Sequence, residues 1–261
     1  MKFIFFPFPG SPGDKLFELN SERWHAPFVM LRDKLLDRGH TVQAFPCDVD
    51  KENDVGIYFD VPEYNAPLTK TSLCIMFEPK CVKPRQYERI KALPFTKILT
   101  HARELVNKDN IRYCPFPLVK PIKTYEPGLR EKVCVAIYSN KHFEGEGELY
   151  TARRQAILSF GKDCDLYGVG WQDDPEIIAT VNWLGRLNGS KVDVMKDYKY
   201  AIAFDNVWSE GYCSEKLPDA INAGCIPLHR GWLPDYSFES VYEEPWSDYV
   251  VAHIMEMTQG S

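Results

Sequence analysis

Glu215 and Lys216 stand together at the start of a helical pattern, directly after the loop Gly211-Tyr212-Cys213-Ser214. A lysine in that place brings a positive charge to a spot where free backbone N–H groups and the helix dipole already favour an anion. Glu78 stands elsewhere in the chain, at the end of the apolar run Ser72–Phe77. An acid at the carboxyl end of a buried strand lies where open α/β sheets place functional groups, and a carboxylate there is able to take a proton. The chemistry these residues suggest is the binding of an anionic ligand and the removal of a proton.

The elements that must position Lys216 run from Tyr198 to Gly231. Tyr200–Phe204 is a short apolar run that reads as a parallel strand buried on both faces. Asp205-Asn206 ends it. Ser214 is a candidate helix N-cap, Pro218 falls near the first turn, and Leu217, Ala220 and Ile221 repeat at helical spacing. Gly224 is placed to end the helix, and Cys225–Leu228 reads as the next buried strand. The loop thus lies at the carboxyl end of one strand and the amino end of a helix.

This stretch resembles the signature of the family 10 glycosyltransferases, the α1,3/α1,4-fucosyltransferases and their bacterial and viral relatives. The matching residues are Tyr198-Lys199-Tyr200, Phe204-Asp205-Asn206, Gly211-Tyr212-Cys213-Ser214-Glu215-Lys216 and Ile226-Pro227. Glu78-Pro79 with Pro84 and Tyr87 is similar to a Glu-Pro pattern in bacterial members. Three positions depart from the pattern. Asp205 stands where glutamate is common, Ser214 where threonine is common, and Leu228-His229-Arg230 where an Ile/Val-Tyr-Trp-like run is common.

The resemblance implies an inverting glycosyltransferase of GT-B fold: α/β, with two Rossmann-like domains whose parallel sheets face a central cleft. The donor would be GDP-fucose and the acceptor a hydroxyl on a glycan or glycoconjugate. The departure at Leu228–Arg230 keeps another donor open, such as UDP-xylose or another UDP-sugar. An inactive sugar- or nucleotide-binding protein on the same scaffold is the reading from a different class. Lys216 would neutralise the diphosphate and Glu215 would meet the ribose hydroxyls. Ser139, Asn206 and Tyr212 would line the donor pocket. Arg154 would grip the phosphates, since its fork binds them bidentately, with Arg153 as the alternative. Glu78 would be the base, acting from the first half of the chain, with Asp60 as second choice. No metal and no other cofactor would be required, the nucleotide sugar being a co-substrate. Asp163-Cys164-Asp165 spells a D-x-D metal pattern but leads into a buried strand, which favours a structural role.

Composition fits such a protein. The 261 residues are 44% hydrophobic and 26% charged, as in ordinary globular chains. A net charge of −6 argues against a general nucleic-acid binder. Eight cysteines are scattered with no C-x-x-C pair, which suits buried free thiols in a reducing compartment. No secretory signal or membrane-spanning run is evident, so a cytoplasmic enzyme of a bacterium, or of a virus in its host cell, is expected.

In order, strands are expected at Lys2–Phe6, Thr41–Phe45, Asp54–Phe59, Ser72–Phe77 and Phe95–Leu99, with helices at Phe28–Arg38 and Ala102–Val106. Pro7–Gly13 is a Pro/Gly loop. The Pro- and Lys-rich Lys120–Gly128 reads as a linker between an acceptor-side domain over 1–122 and a donor-binding domain over 129–261. The second part should hold a strand at Lys132–Tyr138, a helix at Tyr150–Phe160, a strand from Asp165 and a short helix at Lys191–Tyr198. A final helix is expected at Val250–Met257, after a loop.

Overall fold

The computed structural model describes residues 1–8, 13–19, 24–62 and 66–259. Most of the Pro7–Gly13 loop lies outside these residues. The chain divides into two compact units, one of Met1–Lys120, Glu210–Tyr212 and Pro234–Ser261, the other of Pro121–Ser209 and Cys213–Leu233.

The first unit is built on β1 (Lys2–Phe6), β2 (Thr41–Ala44), β3 (Val55–Phe59), β4 (Thr71–Met76), β5 (Lys97–Thr100) and β6 (Ile111–Tyr113). They form one sheet in the order β2-β1-β3-β4-β5-β6, and every pairing is parallel. The apolar run of β1 serves both faces, because side chains alternate along a strand. Phe3 and Phe5 join a cluster with Leu31 and Leu35 of α1 (Ala26–Leu36) and Trp246, Val250 and Ile254 of α7 (Glu243–Gln259). Ile4 and Phe6 join Tyr58, Cys74 and Tyr87 on the other face. Each fully buried side chain of this size contributes about 1.5–3 kcal/mol from burial.

The second unit carries β7 (Lys132–Ile137), β8 (Cys164–Tyr167), β9 (Asn182–Trp183), β10 (Tyr198–Phe204) and β11 (Ile226–Arg230), again all parallel, in the order β11-β10-β7-β8-β9. Growth of this sheet reverses between β7 and β10. Crevices outside the carboxyl ends of strands at such a switch point are where open α/β sheets bind ligands.

The expected strands and the helix α3 (Tyr150–Phe160) are present. Four readings need correction. α2 (Pro84–Arg89) and α4 (Pro175–Thr180) were not expected; each starts with a proline in its first turn, and Asp174 caps α4 by accepting from the Ile177 amide at 3.1 Å. Residues 102–106 hold only a 3-10 turn, Arg103–Leu105. α7 starts at Glu243, within the stretch expected to be loop. Finally, α7 packs on the apolar face of α1, so residues from Pro234 go with the first unit and not with the donor-binding half that sequence order suggested.

Candidate functional site

In the second unit, the residues after β10 and those opening α6 (Lys216–Asn222) build a charged cluster at the switch point. Lys216 Nζ lies 3.4 Å from Glu215 Oε1, and Lys191 Nζ of α5 (Lys191–Met195) lies 3.4 Å from the same oxygen. Burial works against the Glu215 charge, but the ammonium groups of Lys216 and Lys191 outweigh it, and the carboxyl titrates well below its ordinary range. Glu215 is therefore a fixed anion with two cations beside it.

Ser214 is not the cap of α6. Glu215 occupies the cap position without a side-chain capping bond. The Ser214 hydroxyl is turned to Asp205, donating to Oδ1, which also accepts from the Ser214 amide at 3.1 Å. Asp205 is buried with no exposure, and its Oδ2 has no hydrogen-bond partner. Burial raises its carboxyl, opposed by the charge of Lys216 and the bonds from Ser214. Gly231 is required here, since a Cβ would stand 2.3 Å from Asp205 Oδ2. His229 of the departing Leu228–Arg230 run shares its Nδ1 with the Ala203 carbonyl at 2.8 Å, while Nε2 is buried without a partner.

The two arginines separate cleanly. Arg153 is buried, and its Nη2 donates to the carbonyls of Phe204 at 3.0 Å and Asp205 at 2.7 Å and to Asn206 Oδ1 at 3.1 Å. Its guanidinium lies 4.0 Å from the centroid of the Tyr138 ring. It pins the end of β10. Arg154, the expected phosphate grip, pairs with Asp174 at 3.0 Å and Glu176 at 2.8 Å. None of its bonds reaches Lys216, Glu215 or Asn206. Ser139 follows β7 at the same end of the sheet, half-buried, with its carbonyl accepting from the Lys141 amide at 2.8 Å.

Tyr212, expected to line the donor pocket, belongs to the first unit. It is buried against His101, ring centroids 4.8 Å apart, and against Phe116. Gly211 beside it has φ +93°, and a Cβ there would meet the His101 carbonyl oxygen at 2.2 Å. Only glycine accommodates both.

Glu78, also in the first unit, has its backbone held on both sides. Its amide donates to Asp60 Oδ1 at 3.3 Å, and its carbonyl accepts from Gln86 Nε2 at 2.7 Å and the Tyr87 hydroxyl at 3.3 Å. Asp60, the second candidate for the base, is spent on structure. It is 1% exposed and also accepts from the Phe77 amide at 2.7 Å and from Lys83 Nζ at 3.0 Å. Its φ of +64° places a non-glycine residue in the left-handed region at the end of β3, a costly conformation that three donors stabilise. Lys83 and Gln86, which sequence reasoning did not single out, sit just before and within α2; the proline at its first turn was the available signal.

Asp163 of the D-x-D motif ends a 3-10 turn, and Cys164 and Asp165 open β8. Asp165 accepts from the Tyr198 hydroxyl and from Asn182 Nδ2, both at 2.6 Å. All eight cysteines are unpaired and seven are buried. Among the described residues no helix is long and apolar enough to cross a membrane.

Two solved structures match the chain at a TM-score of 0.50. One is an α1,3-fucosyltransferase crystallised with GDP, 14% identical, covering 98% of this chain and 80% of that one. The other is an α-glucosyltransferase in complex with UDP and a 13-mer DNA containing a HMU base, 11% identical, covering 88% and 79%. No protein family model and no curated protein matches the sequence. At these identities the likeness is one of fold, and it assigns the two parallel α/β sheets to the GT-B class.

Proposed function

We propose that the chain is an inverting glycosyltransferase that moves a sugar, by resemblance L-fucose from GDP-fucose, to a hydroxyl of a glycan acceptor. The observation that carries this reading is the Lys216–Glu215–Lys191 cluster at the switch point of the second sheet, in a chain of GT-B fold. In the proposed reaction the acceptor hydroxyl gives its proton to the Glu78 carboxylate. Its oxygen forms a bond to the anomeric carbon as the bond from that carbon to the diphosphate oxygen breaks. The departing diphosphate takes the electron pair, and Lys216 meets its growing charge. The anchored backbone of Glu78 supports it over Asp60 as the base.

A UDP-sugar donor is the second reading. It is supported by the unusual run Leu228-His229-Arg230, which puts the unpartnered His229 Nε2 at the end of β11 beside Gly231.

Thermal melting with GDP, UDP, CDP and dTDP separates these readings, because a ligand that binds the folded state raises the midpoint. Stabilisation by GDP supports the first reading. Stabilisation by UDP alone replaces the donor, and no shift with any of them removes the transferase reading.

A further inference from the structure

The side chains behind Lys216 have a fixed direction. Ser214 has one hydroxyl proton and gives it to Asp205 Oδ1. Toward Lys216 Nζ, 3.2 Å away, the same oxygen therefore acts only as an acceptor. The order is Lys216 ammonium to Ser214 hydroxyl to Asp205 carboxylate. Of the three N–H bonds of the ammonium, one is directed at Ser214 and one at Glu215. Among the described residues no group takes the third, which leaves it for a ligand.

A merely structural tie between β10 and residue 214 would not need a charge. An asparagine carbonyl would accept from Ser214 equally well, without the cost of a buried carboxylate oxygen that lacks a donor. The negative charge acquires a use only if it acts on a cation, and Lys216 is the leading favourable charge on Asp205. A Cβ at position 231 would stand 2.3 Å from Oδ2, so glycine there leaves room for the carboxylate with Oδ1 facing Ser214.

We infer that Asp205 is a positioning residue, aiming the Lys216 ammonium at the phosphates of the ligand through the Ser214 hydroxyl. This rests on the donor-site reading given above.

The test is calorimetric titration of the intact chain with GDP and UDP, and with guanosine and uridine, which lack the phosphates. Lys216→Ala should weaken diphosphate binding about 10- to 100-fold, the range for losing a hydrogen bond to a charged group. Ser214→Ala and Asp205→Asn should each weaken it about 5- to 30-fold and leave nucleoside binding unchanged. Ser214→Thr, which keeps the hydroxyl, should restore it. The double variant Ser214→Ala/Lys216→Ala should bind no more weakly than Lys216→Ala, because the relay has nothing left to aim. Should Asp205→Asn fail to fold, Ser214→Ala and Ser214→Thr decide alone. Wild-type diphosphate affinity in Ser214→Ala, with a loss in Lys216→Ala, overturns the inference and keeps the donor site. Equal losses for nucleoside and diphosphate in Ser214→Ala also overturn it. Undiminished binding in Lys216→Ala, or no binding of either diphosphate by the unmodified chain, removes the donor site and this inference with it.

Discussion

Arg153 Nη2 donates to Asn206 Oδ1 at 3.1 Å, so the oxygen of an asparagine expected to face a nucleotide is already held from within the unit. This bond gives Arg153 a structural role at the end of β10. Arg153→Ala removes the bonds to two carbonyls and one amide oxygen as well as the stacking on Tyr138. It should lower unfolding free energy by about 2–4 kcal/mol in denaturant titration. Arg154→Ala loses a partly exposed pair with Asp174 and Glu176 and should cost about 1 kcal/mol or less. Its affinity for nucleoside diphosphate should stay within about threefold of the parent, a change of about 0.7 kcal/mol; a larger loss would return Arg154 to the phosphate site.

Lys216→Ala should reduce kcat/KM by about 2–4 kcal/mol in transition-state terms, the range for one preorganised charge-stabilising donor. The side chain is 18% exposed and is the leading favourable charge on the buried Asp205, so the melting temperature should fall as well. Steady-state kinetics beside a thermal scan check both parts.

Glu78→Gln keeps the shape of the side chain and cannot take a proton. Transfer should fall by about 10²–10⁴-fold with donor affinity little changed. Asp60→Asn should act differently. It removes the charge opposite Lys83 and disturbs a residue at φ +64°, so it should lower stability before it changes the chemistry. Normal transfer by Glu78→Gln would assign the proton to another acid.

His101 gives the first unit a pH dependence. Burial lowers its pKa to about 4, against the pull of the Phe77 and Glu78 backbone. In the unfolded chain an ordinary histidine titrates near 6.5. Between these values the unfolded state binds more protons, so stability falls as pH drops from about 6.5 to about 4, by up to about 3 kcal/mol, and is unaffected by this group above that window. His101→Phe should flatten that part of the stability profile in denaturant titrations at stepped pH.

Transfer should survive EDTA. Asp165, the second carboxylate of the D-x-D motif, is bound to Tyr198 and Asn182, and the proposed positive charge comes from Lys216. Complete loss of transfer that Mn²⁺ restores would return the motif to the site.

Much of this was legible in the residues themselves. The runs at Lys2–Phe6 and Tyr198–Phe204 are apolar throughout because both faces of each sheet are covered, and parallel strands read that way. The Glu215-Lys216 pair was found because it follows such a strand. The start of α7 was hidden by the acids Glu243 and Glu244, which read as loop although they suit a helix's first turn; Trp246, Val250, Ile254 and Met257 already carry the apolar stripe. Tyr212 could not be placed from sequence, since its neighbours His101 and Phe116 lie about a hundred residues away. The same holds for Arg153 and Arg154, whose partners are set by which side of α3 meets β10.

The return of α7 to the first unit sets the order in which a nascent chain is able to close its cores. Residues 1–120 precede α7 in the chain, and Phe28, Leu31 and Leu35 share their cluster with Trp246, Val250 and Ile254 as well as with Phe3, Phe5 and Phe59. The second unit is synthesised whole before that helix exists. The core of the first unit is therefore complete only once α7 is present, because Trp246, Val250, Ile254 and Met257 belong to it.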